Sequence, residues 1–113
     1  MIQEFNDYRK KMNERILSQD NKVLKRFFSL DNQTYVDGAL DTKTKELLGL
    51  VASMVLRCDD CIKYHIGTAH ELGTTEEEIF EVFSIAILVG GSICIPHTRR
   101  AVEYWDALEK TKA

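Results

Sequence analysis

Apolar residues recur along the chain at helical rather than strand spacing. Phe5, Tyr8, Met12 and Ile16 make a first stripe, three and four residues apart. Asp20 and Asn21 are good caps for a second helix carrying Val23, Leu24, Phe27 and Phe28 on one face. The stretch "SLDNQTYVDGALD", residues 29–41, reads as a turn-rich connection with room for one short helical turn. From Thr42 to Leu56, the residues Leu47, Leu48, Val51, Met54 and Val55 form a broad apolar face. The next helix, beginning near Cys58, is expected to stop at Gly73, the residue type suited to a left-handed end. "TTEEE" then offers a capping box, Thr74 with Glu77 or Thr75 with Glu78, ahead of Ile79, Val82, Phe83, Ala86 and Ile87. Gly90–Gly91 break that helix, and Pro96 fits the first turn of a last one bearing Val102, Trp105 and Leu108. The pattern predicts an all-α chain.

Five or six helices with wide apolar faces are many for 113 residues to cover unaided. A symmetric homo-oligomer is therefore expected, with a compact monomer as the alternative. The length allows one domain, 1–113. A net charge of −3 lacks the concentrated Lys and Arg that phosphate backbones require, so no nucleic-acid partner is expected. "MIQEFNDYRKKMNER" has no continuous apolar segment, and no run reaches membrane-spanning length. A cytoplasmic location, with no membrane partner, is the corresponding expectation.

The chemistry concentrates in "LRCDDCIKYH", Leu56 to His65. In a reducing compartment, C-x-x-C more often binds metal or cycles redox state than staples a fold. On a helix, Cys58, Cys61 and His65 share one stripe. A helix beginning near Cys58 puts both sulfurs in its first turn, where free N–H groups and the dipole favour thiolate. Thiolate attacks peroxides and disulfides, and a neighbouring thiol can then close a disulfide.

His65 can serve as a base for a thiol. In an antiparallel hairpin turning near Arg57, mirror counting sets Gly49 opposite His65. Glu46 then lies about one turn away, roughly 4.5 Å along the axis at 1.5 Å per residue. Asp59 and Asp60 oppose a thiolate, with Arg57 and Lys63 as possible offsets. A zinc site is the rival reading, with Cys94 or His97 as fourth ligand. A thioredoxin-like reading fails for want of a βαβ pattern. Elsewhere packing or solvation is the expectation. Cys94 reads as a buried small hydrophobe, His70 as a solvated helix residue, and His97 as a surface or interface residue. Trp105 and Phe27–Phe28 read as core or subunit contact, and Tyr64 as a packing residue that could line an entrance.

Residues 46–73, "ELLGLVASMVLRCDDCIKYHIGTAHELG", resemble the core of the alkylhydroperoxidase D-like (AhpD-like) branch of the carboxymuconolactone decarboxylase family. The family pattern runs from a Glu through C-x-x-C-x-x-x-H to an Ala and a Gly at four-residue steps. Glu46, Cys58, Cys61, His65, Ala69 and Gly73 fall on it, within a similar region of about residues 38–105. The resemblance implies a helical trimer or hexamer with thiol peroxidase or disulfide oxidoreductase activity, using no cofactor and drawing on a thiol reductant protein. It assigns Cys61 as the attacking thiol, Cys58 as proton donor and resolving thiol, and Glu46 with His65 as proton relay. The best-studied branch has a histidine between the cysteines where this chain has Asp60. The decarboxylase branch lacks the dithiol, so lactone decarboxylation is the alternative inheritance. A zinc-stabilised interaction module is a third.

Overall fold

The computed structural model describes residues 1–112, and among them every regular element is helical. The order is α1 Ile2–Leu17, α2 Lys22–Thr34, α3 Thr42–Val55, α4 Asp59–Glu71, α5 Glu76–Gly90 and α6 Ile95–Lys110. A single 3-10 turn, Ser92–Cys94, joins α5 to α6.

Local chemistry sets most of these boundaries. The Asn21 side chain accepts from the N–H groups of Val23 and Leu24, and Asp41 accepts from Thr44. Both satisfy donors that a helix start leaves unpaired. Of the two capping boxes anticipated, Thr75 with Glu78 forms. Gly73, at φ +86°, closes α4, with its N–H reaching His70 O and that of Thr74 reaching Ala69 O. This Schellman pair satisfies carbonyls otherwise left open. Gly91, at φ +85°, ends α5, and Pro96 lies in the first turn of α6.

One boundary differs from expectation. Residues 29–34, read as connection, continue α2. Their polar side chains bond along the helix: Gln33 Nε2 donates to Ser29 Oγ at 2.9 Å, and Thr34 Oγ1 to Leu30 O at 2.7 Å. No glycine or proline interrupts the segment before Gly38.

The core lies among α3, α4, α5 and α6, built on Leu50, Met54, Ile62, Ile66, Ile79, Phe83 and Trp105. Each such side chain contributes about 1.5–3 kcal/mol through burial. On α3 the inward face is rotated from the apolar stripe: Leu48 is exposed, while Leu50 and Glu46 are buried. α1 lays Ile2 and Phe5 against the core, whereas Tyr8 faces out. α2 buries nothing. The α1–α2 arm gives the chain a radius of gyration of 14.7 Å, above the ~13 Å of a compact chain of this length.

Candidate active site

α3 and α4 form the antiparallel hairpin that holds the site. α3 ends in a second Schellman pair, Cys58 N to Ser53 O and Arg57 N to Met54 O. It places Arg57 at φ +62° where glycine is usual. The tight turn delivers Cys58 to the N-cap of α4, and its Sγ accepts from the Cys61 N–H at 3.3 Å. Cys58 and Cys61 are joined in a disulfide with Cα atoms 5.3 Å apart. Cys61 is exposed and Cys58 half-buried.

One turn further along α4, His65 is buried, and its Nδ1–H donates to Glu46 Oε2 at 2.6 Å. Both side chains are almost inaccessible, at 10% and 3% of full exposure. The bond fixes the tautomer. With the proton on Nδ1, the lone pair of the neutral ring lies on Nε2. Gly49 lies against that edge: a Cβ there would stand 2.8 Å from His65 Cε1, 3.0 Å from Nε2 and 2.7 Å from the Tyr35 hydroxyl. The structure thus brings Glu46, Gly49 and His65 into one cluster beside the bonded cysteines.

Tyr35 completes the enclosure, and nothing in the sequence singled it out. It follows α2 and sets its ring 5.5 Å from that of His65. Burial first, then the Glu46 charge, raises its phenol above the ordinary 10.0. A cleft of about 210 Å³ opens over the site, lined by Arg9, Asp31, Asp60, Cys61, Tyr64 and His65. The Arg9 guanidinium lies 4.2 Å over the Tyr64 ring, at the mouth of that cleft.

Asp59, the first residue of α4, is clamped by α6. Its Oδ1 accepts from His97 Nδ1–H at 2.7 Å and its Oδ2 from Arg100 Nε–H at 3.0 Å. Partial burial works to raise this carboxyl, but the His97 hydrogen bond and the Arg100 charge outweigh it and hold it below the ordinary 3.8. Lys63, a possible offset to these aspartates, sets its ammonium over the Phe5 and Tyr104 rings.

Two further histidine and cysteine positions are settled. His70 is buried, not solvated, with its ring edge-on to Trp105. Its Nε2 lies 3.4 Å from Glu109 Oε1 without the alignment of a hydrogen bond. Cys94 is fully buried and its thiol reaches Met54 O at 3.5 Å. Cys94 thus faces a backbone carbonyl and His97 an aspartate. Among the described residues no three His, Cys, Asp or Glu side chains converge as a metal set. Nor is any described helix long and apolar enough to cross a membrane.

A sequence profile of the carboxymuconolactone decarboxylase family matches residues 21–104. The chain belongs to that family. A crystal structure from Thermotoga maritima, of a family protein with a suggested part in antioxidative response, superposes with a TM-score of 0.93 at 51% identity. That match covers 96% of this chain and 92% of the other. An apo family protein from Legionella pneumophila matches at 28% identity and a TM-score of 0.79, over 96% and 95% of the two chains. Uncharacterized protein 4 in the cox locus of Paracoccus denitrificans is 30% identical over 83 residues, 74% of this chain and 75% of its own.

Proposed function

We propose that this carboxymuconolactone decarboxylase family member is a dithiol oxidoreductase that reduces peroxides or disulfides through Cys58 and Cys61. The observation that carries the reading is the pairing of the bonded cysteines with the buried Glu46–His65 hydrogen bond on the same hairpin. Cys61, the exposed member at the open cleft, is the attacking sulfur.

With a peroxide, the Cys61 thiolate attacks one oxygen, the O–O bond breaks, and the departing alkoxide takes a proton to leave as an alcohol. Cys61 is then a sulfenic acid. The Cys58 thiol displaces its hydroxyl, forming the disulfide and releasing water. Two electrons from a thiol reductant restore the pair. His65 Nε2 accepts the thiol proton, directly or through water, while Glu46 holds the ring and stabilises its charged form. A neutral ring oriented by a buried carboxylate is suited to this exchange.

The reading includes a homo-oligomer. Val23 and Phe27 on α2, and separately Leu88 and Val89 on α5, are each at least 66% exposed, apolar residues that subunit contacts would cover.

The test is a free-thiol titration before and after one equivalent of peroxide, in wild type, Cys58→Ser and Cys61→Ser. Wild type should lose two thiols and regain both with a dithiol reductant, while Cys61→Ser loses none rapidly. Unchanged thiols in wild type would reject the reading.

A further inference from the structure

Asp59 poses a difficulty. It puts a carboxylate next to Cys58 and two residues before Cys61, where a negative charge opposes thiolate formation. The groups facing the dithiol are Asp60 on the same helix, Arg9 from α1, Asp31 from α2 and the Glu46–His65 pair across the hairpin. Of the two aspartates at the start of α4, Asp60 is exposed to solvent, which screens it. Asp59 is half-buried, so screening serves it less.

The geometry points to a charge clamp: we propose that Arg100 and His97 of α6 are positioning residues that neutralise Asp59 and hold it to α6, keeping the dithiol acidic. Each carboxylate oxygen has its own donor, at 2.7 and 3.0 Å. Arg100 Nη2 also lies 3.2 Å from His97 Nδ1, a contact between two donors that the shared carboxylate holds together. Both donors come from the opening turns of α6, one helical turn apart, and among the described residues they share as target the first residue of α4. The arrangement leaves the free N–H groups of α4 and their dipole to act on the sulfurs without the opposing charge of Asp59. The clamp rests on the dithiol reading for its purpose, but its electrostatic effect is measurable apart from any peroxide.

The experiment follows the rate of iodoacetamide alkylation against pH in the reduced full-length protein. Peptide masses read Cys58 and Cys61 separately. Arg100 is 50% exposed, so Arg100→Gln should fold. Releasing one carboxylate charge close to a thiol should move the midpoint up by about one pH unit, slowing alkylation about tenfold below it. Arg100→Lys should stay near wild type, because it returns the charge. Adding Asp59→Asn to Arg100→Gln should restore the wild-type profile, since the charge needing compensation is gone. A merely structural role for Arg100 predicts no such rescue. A wild-type profile in Arg100→Gln, or a double variant that stays displaced, overturns the clamp. Failure of wild type to react with peroxide while these shifts persist would count against the proposed function and not against the clamp.

Discussion

Gly49→Ala adds one carbon to the most crowded point of the site. In a helix, alanine is favoured over glycine by about 1 kcal/mol. Here the new Cβ would stand 2.8 Å from His65 Cε1 and 2.7 Å from the Tyr35 hydroxyl, inside the 3.0 Å that real Cβ atoms respect. Overpacking of this kind costs about 1–3 kcal/mol. The two terms nearly cancel, so the global loss should stay within about 2 kcal/mol, roughly 8–12 °C at most in Tm. Tyr35 can swing its free end away. His65 has less freedom, because Glu46 holds its other edge at 2.6 Å. Restoring an ordinary contact requires the ring to shift by about half an ångström, and misplacements approaching 1 Å cost on the order of a hundredfold in rate. We therefore expect Cys61 oxidation by peroxide, followed by stopped flow, to slow about tenfold or more while the thermal midpoint falls by no more than that amount. Adding Tyr35→Phe should not rescue it, because the contact with the imidazole remains. A wild-type rate in folded Gly49→Ala would show that the placement of His65 has no part in the reaction.

The remaining predictions concern stability and assembly. Arg57→Gly relieves a left-handed residue at φ +62°. The relief of about 1–2 kcal/mol, less the entropy cost of glycine, should raise Tm by a few degrees in a calorimetric scan. Asp59 has a lowered folded-state pKa, so its contribution is present above 3.8 and is lost as pH falls through the still lower folded value. Urea melts should thus show wild type losing more stability than Asp59→Asn between pH 5 and pH 2.5. Light scattering should give a trimer or hexamer for wild type, and Phe27→Glu with Leu88→Glu should reduce that mass. A monomer for wild type would remove the assembly from the account.

The parts of the site that were legible in the sequence share one property: they depend on a single hairpin. Once α3 and α4 are antiparallel about Arg57, the positions of Glu46 and Gly49 against His65 follow from counting residues, and the structure places them together. Tyr35 could not be found this way. Its approach to His65 depends on how the α1–α2 arm folds back, and the surrounding polar stretch carries no periodic signal. The Asp59 clamp was hidden for a related reason, since the rotation of α6 against α4 brings together residues 38 and 41 apart in sequence. His70 misled because a histidine on a polar-looking helix face says nothing of the Trp105 ring that covers it. Residues 29–34 misled in the opposite sense. Their polar side chains suggest a turn but serve equally well to bond along a helix.

The sharpest test locates one oxygen atom. Treat reduced Cys58→Ser with one equivalent of an alkyl hydroperoxide in the presence of dimedone, and read the cysteine peptides by mass spectrometry. The account predicts an adduct at Cys61, with Cys94 unmodified in its buried position. An unlabelled Cys61 in folded, fully reduced protein would contradict it.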